Sequence, residues 1–362
     1  MRKNWIKKTA VLALSAAVMG STIAGCGGAK SQIDEMAVAA TLGDEEILLK
    51  EINFWAKYQE ALVNSASQTY YSIFVSNGYT DEQAREAVEQ YAGSLDTVMD
   101  NVLESVETFH VIANHAEEYG VSLSDADLKR IDEAADQFIK DNKKSITTLM
   151  SADKDTVVEA LKYYTIYIKM MPLMEAVGLD EEVSEEEALM KTYSYVYVEF
   201  ESTQDENGQI VEMTDAEKTQ KGNELQNFID EFRASGEADF DTAAEEAGYK
   251  VSAHSYHPSD EEDALIDLNN VADELAVGSV SDVIELKTDD KLTGIAILRL
   301  DTDKDLGAIE DKKESIIEER KGDCFEALLE SWKAEQEFTV NEDVTGTIQL
   351  EDNLYQKQTS QD

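Results

Sequence analysis

The segment Tyr193-Ser194-Tyr195-Val196-Tyr197-Val198-Glu199-Phe200 divides the chain into two kinds of sequence. Its apolar members Val196, Val198 and Phe200 alternate with residues that would face the other way, and this two-residue period predicts a β-strand. The sequence before the segment has mainly helical periodicity. After it, short β-like runs and helical stretches alternate. We therefore expect a helical region followed by a compact region of mixed structure.

The N-terminal side is predicted to be mostly helical across residues 48–192, because apolar side chains recur at three- and four-residue spacing. Two capping patterns predict helix starts within it, namely Ser124 with Asp127 and Ser184 with Glu187. A short strand and a turn are expected before the first helix.

On the C-terminal side, predicted helices and strands alternate. Residues 215–233 predict a long helix and residues 240–247 a shorter one, while residues 283–286 and 294–300 predict two strands joined by a turn rich in Asp and Lys. Residues 312–336 return to a helical pattern. The predicted fold class is α+β, a mostly helical domain completed by a C-terminal helix, with a small inserted αβ domain that has an antiparallel sheet.

The N-terminus has the order of a cleavable signal. Basic residues precede the apolar stretch Thr9–Ile23, which is too short to span a bilayer comfortably. The motif Ile23-Ala24-Gly25-Cys26 that follows resembles the lipobox of bacterial lipoproteins. That resemblance implies that Cys26 takes a lipid, becomes the new N-terminus and anchors the protein to the membrane.

The charge balance is strongly acidic. The formal net charge is −46, and removal of residues 1–25, which contain four basic and no acidic residues, brings it to −50. This balance excludes nucleic acid and anionic headgroups as expected partners, because both require a basic surface. Cys324 is the only cysteine besides Cys26, so an internal disulfide is not expected and packing is the expected role of its side chain.

Several motifs resemble one family of secreted folding factors. Residues 272–284 and 294–300 look like the second half of a parvulin-type peptidyl-prolyl isomerase domain, and residues 195–198 are similar to that family's first strand. Residues 42–47 and 119–124 resemble the helical arms of PrsA and SurA foldases. The resemblance implies a membrane-anchored extracytoplasmic foldase or chaperone, whose partners are unfolded secreted polypeptides, with a homodimer left open.

The predicted organisation follows from that resemblance. Its parts are a signal peptide (1–25), a tether (26–35), a helical chaperone domain (36–190), a parvulin-like domain (191–303), a C-terminal helix that packs on the arm (304–340) and a tail (341–362).

The residues of the parvulin-like groove depart from the family pattern. Active parvulins carry a histidine in the first strand and another in the last, where this chain has Tyr195 and Ala296. The candidate groove positions are Tyr195, Tyr197, Leu268 and Ala296. Because both histidines are absent, efficient isomerase catalysis is not expected. Rotation about a prolyl bond needs no covalent chemistry, so a shaped apolar groove is compatible with weak activity. Two alternatives stay open, namely an active isomerase with an atypical groove, and a substrate-binding lipoprotein of a transporter, which would have parallel strands in two lobes.

The remaining chemical candidates are weaker. His254 and His257 precede four acidic residues and are expected in an acidic surface loop, so neither a metal ion nor a cofactor is expected. His110 and His115 are expected to be ordinary helix residues. The sequence has no glycine-rich phosphate loop and no nucleophile elbow.

One aromatic group allows two interpretations. Its members are Tyr70, Tyr71, Phe74 and Tyr79. Core packing is the expectation, and a cradle for client polypeptides is the alternative.

Overall fold

The computed structural model describes residues 33–200, 203–204, 210–236, 239–288 and 291–351. The chain divides into two compact units. Of the described residues, the first unit contains those up to Leu179 and those from Lys321 onward, and the second contains those between Asp180 and Arg320. Among the described residues, each helix is too short or too polar to cross a membrane. Cys26 lies outside the described residues, so its lipidation stays a prediction.

The first unit combines a small antiparallel sheet with several helices. Its strands are β1 (Val38–Leu42), β2 (Glu45–Leu48) and β9 (Phe338–Val340), in the order β2-β1-β9. Its helices are α1 (Leu49–Ser76), α2 (Asp81–Ala92), α3 (Val98–His115), α4 (Asp125–Asp141), α5 (Lys144–Leu149), α6 (Lys154–Glu175) and α11 (Glu342–Thr345). Short 3-10 turns precede and follow α3.

The core of the first unit forms where the apolar faces of α1, α3, α4 and α6 meet. Side chains such as Ile52, Phe54 and Ile112 are 0–1% exposed there. Burial of one such side chain stabilises the folded state by about 1.5–3 kcal/mol. The long helix α10 (Leu306–Lys333) enters this unit at Lys321 and adds Phe325, Leu329 and Trp332 to the same core. Residues from both ends of the chain thus share one core.

The second unit is built on a four-stranded sheet. Its strands are β3 (Lys191–Glu199), β4 (Thr203–Gln204), β5 (Ile210–Val211), β6 (Val251–Tyr256), β7 (Ile284–Thr288) and β8 (Lys291–Thr302). The main sheet has the order β6-β3-β8-β7, and β4 pairs with β5 in a separate hairpin. Its helices are α7 (Asp215–Ser235), α8 (Phe240–Glu246) and α9 (Ile266–Asp273), together with the first part of α10.

The alternation predicted for residues 193–200 separates two buried layers. Val196 on β3 and Ile295 and Ile297 on β8 pack with Leu225 and Ile229 of α7 on one face of the sheet. On the other face, residues of β3, β6 and β8 pack with α9. This second layer contains Tyr193, Tyr256, Leu268, Ala272, Ala296, Leu298 and Leu300. Residues one position apart on a strand therefore belong to different cores.

The predicted fold class, α+β with antiparallel sheets, is confirmed. Every strand pairing in the described part of the chain is antiparallel. The parallel two-lobed arrangement expected of a transporter's binding protein is therefore not found in those residues.

Two local predictions are wrong. Ser184 and Glu187 form the predicted reciprocal hydrogen bonds, at 2.9 and 3.2 Å, yet only a turn follows and not a helix, because β3 begins at Lys191. The aromatic group Tyr70, Tyr71, Phe74 and Tyr79 does not join any of the three buried clusters in the described residues. It lies on the α1–α2 hairpin, where Tyr79 is 47% exposed.

Candidate functional site

The four candidate groove positions lie on the same face of the main sheet. In the antiparallel pairing of β3 with β8, Tyr195 lies opposite Leu298 and Tyr197 opposite Ala296. Leu268 reaches this face from α9 and is 1% exposed, and Ala296 is completely buried. Tyr195 is partly buried against the same cluster. We call this surface the α9 face.

Tyr197 is the exposed member of the α9 face. Its side chain is 42% exposed, although it is attached to a central strand. The ring lies over Gly294 of β8, since a Cβ atom built on that glycine would come 2.5 Å from the ring carbon Cε2 and 2.9 Å from the hydroxyl oxygen. The missing side chain at position 294 therefore provides the space that the ring occupies.

Around Tyr193, four residues before Tyr197 on β3, the face has a network of polar contacts. The hydroxyl of the buried Tyr193 donates a hydrogen bond to Oδ1 of Asn269 at 2.8 Å. Nε2 of His254 on β6 lies 2.8 Å from Oδ2 of Asp263, and the His254 ring centre is 5.5 Å from that of Tyr193. Burial opposes ionisation of Asp263, but the amide of Leu265 and the His254 ring outweigh it and lower the pKa of this carboxyl group.

Tyr193, Tyr197 and Tyr256 on this side of the sheet remain neutral. Burial raises the pKa of Tyr193, and the same cause raises the pKa of Tyr197, with the nearby Glu199 as a smaller contribution. Burial also raises the pKa of Tyr256, whose hydroxyl donates to Asp273 at 2.7 Å. A neutral phenol can donate and accept hydrogen bonds, while its ring supplies apolar contact area.

The candidate positions offer aromatic and apolar contact area. Tyr195 and Ala296 provide no imidazole at the two positions where the family pattern has one, and the alanine is completely buried. The imidazole present on this face, that of His254, is held by Asp263. An exposed aromatic ring beside an extended strand can contact an apolar or prolyl side chain of a polypeptide.

The predicted surroundings of His254 and His257 are partly wrong. His254 lies in strand β6, paired with Tyr193, and not in a loop. His257 lies just after the strand, where Nε2 is 3.1 Å from the carbonyl oxygen of Glu186. In the described ranges, no group of three or more His, Cys, Asp or Glu side chains is placed to hold a metal ion. Strand β6 (Val251–Tyr256) was not predicted, because the acidic residues that follow it favour a loop.

The interpretation of His110 as an ordinary helix residue is also wrong. Its side chain is 2% exposed, with Nδ1 2.8 Å from Glu45 and Nε2 3.0 Å from Glu51. Burial lowers its pKa, but the hydrogen bonds to the two carboxylates outweigh burial and raise it to about 9. The helix pattern itself carries no signal for this, since both glutamates come from other elements. His110 therefore forms a buried ion-pair network with Glu45 and Glu51 in the first unit.

The comparisons with known proteins fall into three groups. No family model matches the chain, and no curated protein matches it. Several solved structures are similar, among them three PrsA proteins. They are the foldase protein PrsA from Lactococcus lactis (12% identity, 86% of this chain and 97% of that chain covered, TM-score 0.34), the foldase protein PrsA from Streptococcus pneumoniae (17%, 75% and 96%, 0.30) and the peptidylprolyl isomerase PrsA from Bacillus cereus (15%, 74% and 93%, 0.28). These belong to the class of foldases that the sequence motifs resemble.

Proposed function

We propose that this protein is a membrane-anchored extracytoplasmic foldase that holds unfolded secreted polypeptides, and that the isomerase activity of its second unit is weak or lost. The observation that carries the proposal is the α9 face. There an aromatic ring, Tyr197, stays 42% exposed in the middle of an antiparallel sheet whose opposite face is closed by α7 and α8. Such a ring offers a client contact area at a low cost in side-chain entropy.

The distribution of histidines supports binding without efficient turnover. The uncatalysed prolyl rotation has a barrier of about 18–20 kcal/mol, and lowering it requires a groove that stabilises the twisted bond. Tyr195 and Ala296 occupy the family's histidine positions, and His254 on the neighbouring strand is already bonded to Asp263. Client holding is therefore the main activity in this proposal.

The anchor and the surface charge complete the proposal. A lipid on Cys26 holds the protein at the outer side of the membrane, and nucleic acid has no place among its partners. The net charge of −50 that remains after removal of residues 1–25 keeps a complex with an aggregation-prone client soluble by mutual repulsion. A homodimer remains an open alternative to a monomer.

The two other functions have less support. An active isomerase with an atypical groove would have to use Tyr195 and Tyr197 in place of histidines. A transporter's binding protein is disfavoured, because the described strands pair only in the antiparallel sense. The foldase proposal requires neither feature.

The direct test is suppression of aggregation. The chain from Ala29 to Asp362, which contains every described residue, is mixed with a chemically unfolded secreted protein as the denaturant is diluted, and light scattering is followed. We expect scattering to fall as the chain approaches about an equimolar ratio, as one client segment occupies one binding face. An acidic protein of similar size and charge is the control. Unchanged scattering with several unfolded secreted proteins would overturn the proposal.

A further inference from the structure

The free end of the α1–α2 hairpin carries a second aromatic surface. Phe74 of α1 has its ring centre 5.3 Å from that of Tyr79 in the connecting turn and 5.6 Å from that of Tyr91 on α2. Tyr70 lies 5.7 Å from Tyr91. We call Tyr70, Ile73, Phe74, Tyr79 and Tyr91 the aromatic tip. Its rings contact one another, Tyr70 and Phe74 are partly buried, and Tyr79 and Tyr91 are exposed.

The aromatic tip is not part of a core. Of the eleven large apolar side chains that are most exposed in the described residues, four lie between positions 73 and 91, and these are Ile73 (46%), Val75 (44%), Tyr79 (47%) and Tyr91 (58%). None of the tip residues joins the buried clusters of either unit. A concentration of exposed apolar area on one short segment is typical of an interaction surface.

Contacts other than those of the tip rings also hold the two helices of the hairpin together. Ala84 and Val88 of α2 are 0% and 3% exposed and face α1. A complete capping box between Thr80 and Gln83 starts α2. These contacts stabilise the helices and set the turn. The exposed rings are therefore available to a partner without unfolding of the hairpin.

The charges around the tip indicate the kind of partner. Residues 81–96 contain five acidic side chains and one basic side chain. The basic residue, Arg85, lies 3.0 Å from Asp81. A second copy of this chain would bring the same negative charge to the surface and be repelled, whereas a segment with Lys or Arg would be attracted.

We propose that the aromatic tip binds extended segments of client polypeptides in which apolar or aromatic residues are flanked by Lys or Arg. This inference rests on the proposed foldase function and names the client chemistry that a surface separate from the α9 face selects. Apolar client side chains pack on Phe74 and Tyr91. Client cations lie over the tyrosine rings and near Glu86 and Glu89.

The test begins with a variant that removes only exposed rings, Tyr79→Ser with Tyr91→Ser. The matched control is Leu128→Ser with Leu306→Ser, because those leucines are 41% and 73% exposed and belong to other helices, α4 and α10. The probe is a fluorescent peptide of leucines and a tryptophan flanked by lysines, and the readout is anisotropy with the chain from Ala29 onward. We expect about a tenfold loss of affinity in the tip variant and less than about a twofold change in the control.

A charge variant tests the selection of cationic segments. Glu86→Lys with Glu89→Lys changes two exposed side chains and should weaken binding of the lysine-flanked peptide while strengthening binding of an otherwise identical glutamate-flanked peptide. Equal changes for both peptides would overturn the charge argument and the proposal with it. Thermal melting by circular dichroism shows whether each variant is folded.

Three further results would separate the possible failures. If sedimentation shows a dimer that the tip variant dissociates while its peptide affinity stays unchanged, a second copy occupies the tip and the proposal is wrong. If the chain suppresses client aggregation and the tip variant suppresses it equally well, the inference fails and the foldase function stands. If neither the parent chain nor any variant suppresses client aggregation, the proposed foldase function itself is wrong.

Discussion

The ring of Tyr197 lies over Gly294, in the space that a side chain at position 294 would fill. This relationship places an exposed aromatic group on the α9 face, opposite Ala296 in the strand register. The glycine belongs to a different strand from the tyrosine, so the candidate binding surface depends on the pairing of β3 with β8.

Replacement of Gly294 by Ala should move the Tyr197 ring and weaken peptide binding on the α9 face. The new Cβ would come 2.5 Å from Cε2, and the ring, being the end of a rotatable side chain, should yield before the backbone does. We expect peptide-induced shifts of the β3 and β8 amide signals to shrink in NMR spectra, with little change in melting temperature. The matched control is Gly222→Ala, where no atom lies within 4 Å of the new Cβ and the helix should gain about 0.5–1 kcal/mol.

The cis/trans exchange of a short Xaa-Pro peptide should not be accelerated by the chain from Ala29 onward. Its time constant should stay at the uncatalysed value of roughly tens to hundreds of seconds. The reason is that Tyr195 and Ala296 offer no imidazole to the twisted bond. NMR exchange spectroscopy measures the rate directly. Acceleration that disappears in Tyr195→Ala would instead establish an active isomerase with an atypical groove.

The stability of the first unit should fall as the pH rises through 9. His110 has a pKa of about 9 in the folded protein, above its ordinary value of about 6.5. Its contribution is therefore complete below pH 6.5 and is lost between pH 6.5 and 9, and it amounts to about 3 kcal/mol. The groups that face the ring are Glu45 of β2, Glu51 of α1 and Tyr163 of α6.

Urea unfolding followed by tryptophan fluorescence measures this effect, because in the chain from Ala29 both tryptophans, Trp55 and Trp332, belong to the first unit. The stability difference between the parent and His110→Gln should shrink over the pH window given above. His257→Gln is the control, since the His257 ring contacts two uncharged groups, the Glu186 carbonyl and the Ser259 hydroxyl. A difference that stays constant with pH would contradict the prediction.

Lys57 and Glu60 should be strongly coupled. Both residues lie in α1 and are 4% and 5% exposed, and Nζ of Lys57 is 2.7 Å from Oε2 of Glu60. Oε1 of Glu60 also accepts a hydrogen bond from the backbone amide of Glu351 at 2.9 Å. Burial raises the pKa of Glu60, and Lys57 partly offsets this. Lys57→Met should cost about 3 kcal/mol, because it leaves a buried carboxylate without its cation.

The double variant Lys57→Met with Glu60→Met should cost less than Lys57→Met alone, since no unpaired charge remains. The same fluorescence-detected unfolding gives the free energies of Lys57→Met, Glu60→Met and the double variant, and the exposed pair Lys129 and Glu133, with Nζ 3.7 Å from Oε1, supplies a control cycle. If the effects of the two single changes simply add, Lys57 and Glu60 are not coupled and the prediction is wrong.

Cys26→Ser should release the full-length protein from membranes. The reason is that acyl chains contribute about 0.8 kcal/mol per buried CH₂, and the described helices include none that could span a bilayer. Fractionation of cells into membrane and soluble material, with detection of the protein in each, checks this. Cys324→Ser is the control, and a Cys26→Ser protein that still sediments with membranes would contradict the lipid anchor.

Local signals made much of the secondary structure predictable. The capping box of Ser124 with Asp127 starts α4 at the expected position, and the two-residue alternation from Tyr193 forms β3. Ser184 with Glu187 shows the limit of such signals, because the hydrogen bonds of a helix start are made and the following strand prevents the helix. A short-range pattern can specify a bond between neighbours but cannot specify which element comes next.

The candidate site was predictable only in part. Strand alternation predicts that Tyr195 and Tyr197 share a face, and they do, but the positions of Ala296 and Leu268 on that face depend on strand pairing and on the packing of α9. The support of Tyr197 by Gly294, the capture of His254 by Asp263 and the exposure of the aromatic tip were not predictable from the pattern. An aromatic residue in a helix has the same local sequence whether a neighbour covers it or solvent does.

The sequence by itself determined the acidic character of this protein, its helical and strand segments, the caps between them and the basic-apolar-cysteine order of its N-terminus. These follow from composition and from interactions between residues a few positions apart. The tertiary structure alone decided that His110 is held between Glu45 and Glu51, that Tyr197 lies over Gly294 and that the tip of the α1–α2 hairpin remains uncovered. Each of the first two brings together groups from separate elements, and the exposure of the tip reflects which surfaces those elements leave unburied, so all three depend on how the whole chain packs.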